Sequence, residues 1–243
     1  MSKKKIEKPS AQLQMHSQIE HSIKLKPRKF KFTDKQRKFL ETALDPQNSI
    51  IFVAGPAGSA KSYSSIYVAL QLLMADREKQ LLYVRSIIES ADKGLGSLPG
   101  DMAEKFDPFL MPLYDKLDEM VETQDIVWLK SQEKIAAIPV NFLRGANWSN
   151  KVVVVDEAQN FTFKELTTVI TRIAEGSKLM ICGDYMQSDI GSRSGFKEMF
   201  DLFNDETSRE RGVQCFGFDN SDIVRSEILK FLVSKLEMRQ TKV

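Results

Sequence analysis

The segment that most constrains the fold is a glycine-bearing turn directly after a short apolar run. Ile50–Ala54 is wholly apolar, and residues 55–62 follow it with the sequence Gly-Pro-Ala-Gly-Ser-Ala-Lys-Ser. An apolar run of this length that ends in glycines predicts a buried strand, and the residues after the turn predict a helix. The backbone N–H groups of such a strand–turn–helix unit, with the positive end of the helix, form an anion site suited to phosphate.

The turn matches the phosphate-loop pattern Gly-x4-Gly-Lys-[Ser/Thr] at Gly55, Lys61 and Ser62. In that pattern the lysine reaches the β- and γ-phosphates of a nucleotide, and the hydroxyl ligates Mg²⁺. Ala60 stands where the pattern has its second glycine, so the match is imperfect. An ordinary strand–turn–helix corner is the alternative to a nucleotide site. The residues predicted to hold ATP are Gly55, Pro56, Ala57, Gly58, Ser59, Ala60, Lys61 and Ser62.

A second apolar run ends in two carboxylates. Four valines at 152–155 precede Asp156 and Glu157. A continuous β-branched run is typical of a strand buried on both faces of a parallel sheet, and open α/β sheets bind ligands at the carboxyl ends of their strands. Asp156, together with Ser62, is therefore predicted to hold Mg²⁺, and Glu157 to orient and deprotonate an attacking water. Standing alone, the two acids would more simply begin a solvated turn.

The chain is long enough for one α/β domain with a sizeable core, and its composition is ordinary for a globular protein. The chain has 243 residues, of which 42% are apolar and 28% charged. No stretch approaches 18 apolar residues, and the lysine-rich start lacks the apolar segment of a secretory signal. Cys182 and Cys215 are predicted to be reduced core residues, and His16 and His21 indicate no metal or histidine chemistry. We therefore expect a cytoplasmic protein without membrane contact.

Charge is distributed unevenly along the chain. Residues 1–38 hold 12 Lys and Arg against 3 Asp and Glu, whereas the remaining 205 residues hold 23 against 30. We predict a basic, mostly disordered arm at 1–30 and one folded domain at 31–243. Such an arm is a candidate tether for a nucleic-acid backbone, with nonspecific and salt-sensitive binding. A solvated tail is the plainer alternative.

Alternating helix and strand signals predict a largely parallel sheet with helices on both faces. Thr33 and Gln36 fit a capping box for a helix that ends at Leu44, and a second helix follows the phosphate loop to about Ala75. Further strands are predicted at 81–85, 178–182 and 213–218. Further helices are predicted from 101 with breaks at Pro108 and Pro112, from Thr162 to Gly176, and from 221 or 222 to about 237.

Three more side chains are candidates for nucleotide chemistry. Gln187 follows a strand and a glycine turn, where a polar side chain can touch the γ-phosphate or the attacking water; otherwise it is a turn residue. Arg225, near the start of the last helix, is a candidate arginine finger in cis or from a neighbouring subunit, or simply an exposed helix arginine. The amide of Gln36 can bond N6 and N7 of adenine together, beside or instead of its capping role.

Taken together, these motifs resemble the PhoH-like ATPases over about residues 30–239. The resemblance implies a RecA-like P-loop NTPase core similar to one motor domain of superfamily-1 helicases, ATP hydrolysis, and a link to RNA or single-stranded nucleic acid. Similar proteins occur in bacteriophages and in bacteria under phosphate-starvation control. Some carry a PIN nuclease domain before the core, for which the arm here leaves no room. The matching residues are 55–58, 94–101, Lys105, 107–108, 112–115, 142–145, 156–160, 171–172, 183–184, Gln187, Asp189 and 222–225.

The resemblance also assigns roles by position. It places Lys61 and Ser62 in the first helicase motif, Asp156 and Glu157 in the second, Gln187 in the third, and makes Arg225 the terminal arginine. It further includes Arg85, Arg144 and Arg172, which would contact nucleotide, nucleic acid or another subunit. Ala60 departs from the family's glycine, and its methyl group would restrict or crowd the loop. We therefore expect the alanine to affect fast ATP turnover more than ATP binding.

A single motor-like core has no second core to move against, so motor function would require self-association. We expect a ring, most simply a hexamer, in which Arg225 acts in trans. The leading hypothesis is a Mg²⁺-dependent ATPase acting as a helicase or translocase on RNA or single-stranded nucleic acid. The alternative is a nucleotide-gated nucleic-acid-binding oligomer with weak or no hydrolysis. A small-molecule kinase is weaker, because the sequence offers no lid with clustered arginines.

Overall fold

The polypeptide folds around one parallel β-sheet. The computed structural model describes residues 31–76, 78–86, 102–140, 147–224 and 226–240. Within these residues the strands are β1 (Ile50–Ala54), β2 (Gln80–Arg85), β3 (Ile135–Pro139), β4 (Lys151–Asp156), β5 (Lys178–Gly183) and β6 (Val213–Gly217). Their spatial order is β3-β2-β4-β5-β1-β6, and every neighbouring pair is parallel.

Helices cover both faces of this sheet. In the described part of the chain they are α1 (Asp34–Leu44), α2 (Lys61–Ala75), α3 (Met102–Asp118), α4 (Thr123–Ser131), α5 (Phe163–Ile170), α6 (Phe196–Phe203), α7 (Glu206–Glu210) and α8 (Glu227–Gln240). One apolar layer joins α1 to α4 with the sheet, and a second joins α5 and α6 with its other face. This arrangement confirms the predicted α/β, RecA-like fold class.

The valine run in β4 contributes to the apolar layers on both faces of the sheet. Val152 and Val154 pack in the layer under α1 to α4, whereas Val153 and Val155 pack in the layer under α5 and α6. Successive side chains of a strand point to opposite faces, so a strand covered on both sides must be apolar throughout. All four valines are fully buried, as the sequence predicted.

The sheet order brings the two predicted motifs to one edge. β1, which leads into the phosphate loop, and β4, which ends in Asp156, have only β5 between them. Because all three strands are parallel, their carboxyl ends open on the same side of the sheet. Residues that lie about 100 positions apart in sequence therefore become neighbours around one cleft.

Several predicted boundaries are wrong. α3 runs unbroken through Pro108 and Pro112, because Leu113 and Leu117 are fully buried and their packing outweighs the lost backbone hydrogen bonds. α5 ends at Ile170 rather than Gly176, α8 begins at Glu227, and residues 220–222 form a separate 3₁₀ turn. Four further elements were not predicted from the sequence: α4, β3, α6 and α7.

Some predictions fall outside the described residues. These are the arm at 1–30, the motif at 94–101, and residues 142–145 with Arg144, together with Arg225. The helices that the structure does describe include none long and apolar enough to span a bilayer. Cys182 and Cys215 are free thiols; Cys182 is buried and burial raises its pKa to about 12, as expected of a core residue.

Candidate nucleotide-binding site

The phosphate loop begins where β1 ends and closes on the first turn of α2. Gly58 and Ala60 both have positive φ, at 82° and 61°. Left-handed residues of this kind fold a turn so that successive N–H groups can form a nest for an anion. Gly55 is required for a different reason, since a Cβ there would lie 2.7 Å from Cβ of Phe218. The loop therefore has the backbone of a phosphate site, with an alanine in one glycine position.

Lys61 is folded across the loop. Its Nζ donates to the backbone carbonyls of Gly55, at 2.6 Å, and Pro56, at 2.9 Å. Burial lowers the pKa of Lys61, while the acids Asp184, Asp156 and Glu157 oppose that shift. The ammonium thus lies at the mouth of the loop, where it can exchange the two carbonyls for phosphate oxygens.

Asp156 is the most heavily engaged carboxylate of the cleft. Its Oδ1 accepts from the hydroxyl of Ser62 and from the N–H of Glu157, at 3.1 Å, and its Oδ2 accepts from the hydroxyl of Tyr83 at 2.5 Å. Burial by itself would raise the pKa of Asp156. The nearby ammonium of Lys116 and the hydroxyl donors outweigh it, so this pKa lies below its usual value and the group is a carboxylate.

Ser62 and Asp156 fit the requirements of Mg²⁺. The ion prefers oxygen ligands and commonly takes one or two carboxylates, with phosphate and water completing the shell. The hydroxyl of Ser62 and the carboxylate of Asp156 already touch. The described residues contain no group of three or more His, Cys, Asp or Glu that would form an all-protein metal site. The two oxygen donors of Ser62 and Asp156 suit a metal whose other ligands are phosphate oxygens and water.

Glu157 lies at a sharp turn directly after β4. Its backbone is left-handed, with φ 55°, and its side chain is 40% exposed. One carboxylate oxygen accepts from Nε2 of Gln159 at 2.7 Å, and the other lies 4.0 Å from the guanidinium of Arg85. With one oxygen fixed by a hydrogen bond and 40% of the side chain exposed, this carboxylate can accept a proton from a water in the cleft.

Gln159 is a site residue that was not predicted individually from the sequence. It is buried, and its Oε1 accepts from the N–H of Asp184 at 2.9 Å, while Nε2 donates to Glu157 and, at 3.4 Å, to the carbonyl of Gln187. The side chain therefore ties the end of β4 to the turn after β5. The only sequence signal was its place in the run Asp-Glu-Ala-Gln-Asn at 156–160.

These groups surround a cleft of about 480 Å³. Most of the predicted residues line it, including Lys61, Asp156, Glu157 and Gln187. Lys116 and Glu119, from the end of α3 and just beyond it, were not predicted. Among the described residues, those that line the cleft are Ala57, Gly58, Ala60, Lys61, Ser62, Tyr63, Lys116, Glu119, Asp156, Glu157, Cys182, Gly183, Asp184, Gln187 and Val224.

Gln36 is not part of this lining. It is fully buried, its Nε2 donates to the carbonyls of Ser59, at 3.0 Å, and Asp222, at 2.8 Å, and its Oε1 accepts from the N–H of Thr33 at 2.9 Å. The predicted capping box is therefore confirmed. The predicted adenine contact would take one N–H of Nε2 for N7 of adenine and Oε1 for N6, so at least one of these two donor bonds would have to break. In this structure the side chain instead joins α1 to the phosphate loop.

The parallel sheet, the phosphate loop and the paired acids at the end of β4 define a P-loop NTPase of RecA-like fold. The chain belongs to the PhoH-like protein family, whose profile matches residues 29–237.

Curated relatives agree with this membership. A PhoH-like protein of Synechocystis sp. is 34% identical over 207 residues, covering 84% of this chain and 61% of the relative. A PhoH-like protein of Bacillus subtilis is 32% identical, covering 82% and 60%. Protein PhoH of Escherichia coli is 33% identical, covering 74% and 50%. The chain thus spans only about half to three-fifths of the length of these relatives.

Solved structures also share similarity with this chain. A large terminase from a thermophilic bacteriophage has a TM-score of 0.49 at 14% identity, covering 83% of this chain and 49% of the terminase. A Bacteroides sp. Pif1 in complex with ADP-AlF4 has a TM-score of 0.36 at 13% identity, covering 82% and 44%.

Proposed function

We propose that this protein is a Mg²⁺-dependent ATPase that acts on RNA or single-stranded nucleic acid as a helicase or translocase. The observation that carries the proposal is the meeting, in one cleft, of the phosphate loop with the two acids that end β4. Phosphoryl transfer to water requires a phosphate cradle, charge neutralisation and a positioned base, and these residues can supply all three.

The loop residues bind the triphosphate. Lys61 exchanges the carbonyls of Gly55 and Pro56 for β- and γ-phosphate oxygens, while the loop N–H groups and the start of α2 hold the remaining negative charge. Ser62 and Asp156 are the residues that would hold Mg²⁺, which supplies charge neutralisation at the phosphate oxygens.

Glu157 acts on the attacking water. Its carboxylate accepts a proton from that water, while Gln159 fixes one of its oxygens by the 2.7 Å hydrogen bond. Gln187 contacts the γ-phosphate or the same water, since it lines the same cleft. Arg225, which lies outside the described residues, is proposed to stabilise the transferring phosphoryl group from a neighbouring subunit.

Self-association into a ring, most simply a hexamer, is part of the proposal because one core alone has no partner to move against. Its support is α8, whose side chains at Ile228, Phe231, Leu232 and Leu236 are between 48% and 62% exposed. An apolar face this continuous is typical of a surface that another protein covers. Light scattering with and without ATP measures the assembly directly.

Nucleic-acid binding rests on family membership and on the charge of the chain's first 38 residues. The alternative, a nucleotide-gated binding oligomer without fast hydrolysis, is favoured by one observation, the left-handed Ala60 in the phosphate loop. The two functions differ in turnover alone, so an activity measurement separates them.

The test is steady-state ATP hydrolysis with and without single-stranded RNA, using Lys61→Ala and Glu157→Gln. We expect turnover that rises with RNA and disappears in Lys61→Ala. Glu157→Gln should still bind ATP but hydrolyse it at least about 100-fold more slowly, because a neutral amide cannot take the proton. ATP binding without turnover would support the gated module, and normal turnover by Glu157→Gln would remove Glu157 as the base.

A further inference from the structure

Lys116 is a cation of the cleft that the phosphate-loop pattern does not include. It lies near the end of α3, lines the cleft together with Lys61, and its Nζ is 3.7 Å from Oδ2 of Asp156. Its side chain is only 26% exposed. The carboxylate that we assign to Mg²⁺ therefore already has a positive charge beside it.

The two oxygens of Asp156 have different partners. Oδ1 accepts from Ser62 and from the N–H of Glu157, whereas Oδ2 accepts from Tyr83 and faces Lys116. A divalent ion bound through Ser62 and Asp156 would share this single carboxylate with the ammonium. Like charges so close together repel each other, and the burial of Asp156, whose side chain is 5% exposed, weakens the screening by water.

The attachment of Lys116 is loose. Its Nζ donates a hydrogen bond of 3.1 Å to the carbonyl of Pro112, one turn earlier in α3, and 3.7 Å from the carboxylate is too long for a second one. α3 itself is anchored, because Leu113 and Leu117 are fully buried. The lysine side chain can therefore swing away on its flexible four-carbon stem while the helix stays in place.

We propose that Lys116 is a tethered cation that balances the charge of Asp156 in the nucleotide-free protein and competes with the divalent metal for it. A free metal ion gains few ligands in exchange for displacing the ammonium. A metal that is bound to a triphosphate has phosphate oxygens as further ligands, and it then displaces the ammonium of Lys116 from Asp156. Metal and nucleotide binding are thereby coupled. This inference rests on the proposed function only for the location of the metal site.

The test is titration of the full chain with Mn²⁺ in the absence of nucleotide, following the electron paramagnetic resonance signal of the free ion. Lys116→Met should bind Mn²⁺ roughly tenfold more tightly than the original chain, because the competing charge is gone. Lys116→Arg keeps the charge and should bind like the original. Lys164→Met makes the same change at an exposed position of α5 and serves as the matched control.

A second readout separates competition from general damage to the cleft. Binding of a fluorescent ATP analogue in excess EDTA should weaken several-fold in Lys116→Met, because the metal-free anion loses a nearby cation. Competition thus predicts changes of opposite sign for metal and nucleotide, whereas a damaged cleft weakens both.

Two results would overturn the proposal: equal Mn²⁺ affinity in the original chain and Lys116→Met, or no detectable Mn²⁺ binding by either. Failure of the proposed function would look different. Turnover that survives Lys61→Ala would remove the phosphate loop as the site of hydrolysis and leave the Mn²⁺ comparison intact.

Discussion

Ala60 keeps its backbone at φ 61° and ψ 25°, in the left-handed region that glycine enters freely. An L-residue with a Cβ is held there at a cost of roughly 1–2 kcal/mol. The residue precedes α2 directly, and its side chain makes no capping hydrogen bond. The sequence showed that Ala60 departs from the glycine pattern, and the structure shows why the pattern prefers glycine: the turn itself demands this conformation.

We predict that Ala60→Gly raises the free energy of unfolding by up to about 1 kcal/mol. The gain comes from relief of the left-handed strain, and it is partly offset by the greater chain entropy of glycine in the unfolded state. Urea denaturation followed by circular dichroism measures it.

The matched control is Ala69→Gly, in the buried interior of α2. There the same substitution should lower the unfolding free energy by about 1 kcal/mol or more, because glycine disfavours helix and leaves a small void. If Ala60→Gly destabilises the protein as Ala69→Gly does, the left-handed alanine is not strained.

At the scale of structural elements, Gln36 connects α1, the phosphate loop and the 3₁₀ turn at 220–222. Its amide joins the start of α1 to Ser59 in the phosphate loop and to Asp222 in the 3₁₀ turn at 220–222. The same turn is held by Thr33, whose hydroxyl donates to the carboxylate of Asp222 at 2.5 Å, and the N–H of Val224 donates to the loop carbonyl of Gly58 at 3.3 Å. The loop and the segment that leads to α8 are thus fastened together through α1.

We predict that Gln36→Ala lowers thermal stability and weakens ATP and GTP binding to the same extent. The change leaves two buried carbonyls without their donor, at a cost of about 1–3 kcal/mol each, and loosens the loop for any triphosphate. Competition titrations with a fluorescent nucleotide measure both affinities, and thermal denaturation measures the stability.

Gln214→Ala serves as the control, because Nε2 of Gln214 also donates to two protein oxygens, those of Asn48 and Arg209, without contact to the loop. Gln214→Ala should reduce thermal stability modestly and leave the affinities for ATP and GTP unchanged. A selective loss of ATP over GTP in Gln36→Ala would show instead that Gln36 reads adenine, as its sequence context suggested.

Element boundaries were predictable where side chains set them and not where tertiary contacts do. The capping boxes at Thr33 and Thr162 place the starts of α1 and α5 correctly. The end of α5 depends on a distant pairing: the N–H of Trp148 donates to the carbonyl of Arg172, and that of Ala174 donates back to Trp148, at 2.9 and 3.0 Å. Contacts of this kind leave no local pattern in the sequence.

At the scale of the whole molecule, the two motifs of the site were predictable but their neighbours were not. Buried strands that end in a phosphate loop and in acids must meet at one edge of a parallel sheet. The position of β5 between β1 and β4 sets which turn Gln159 reaches, and the packing of α3 sets where Lys116 lies. Both depend on the assembled sheet, so single-sequence patterns could not supply them.

Lys178 couples the stability of the whole fold to pH. It begins β5, is 7% exposed, and its Nζ donates to the carbonyls of Ala43, at 2.6 Å, and Asp45, at 2.7 Å, where α1 ends. Burial lowers the pKa of Lys178 from 10.5 to about 8, despite the opposing charge of Asp45. The folded protein therefore releases this proton at a lower pH than the unfolded chain does.

We predict that the contribution of Lys178 to the free energy of unfolding increases as the pH rises from about 8 to about 10.5. Below that window the lysine is charged in both states, and burial of the charge opposes folding in full. Within it the unfolded chain binds more protons than the folded protein, so this contribution to stability increases with pH. The measurement is urea denaturation at about pH 7 and about pH 9.5 for the original chain and Lys178→Met.

The stability of the original chain relative to Lys178→Met should increase between the two pH values, because the variant has no proton to lose at this position. Lys197→Met, which removes an exposed lysine of α6, controls for the change in net charge and should show no such trend. If the difference in unfolding free energy between the original chain and Lys178→Met stays constant across the window, the prediction is wrong. The two carbonyls would then keep the buried ammonium charged by offsetting its desolvation at the junction of α1 with the sheet.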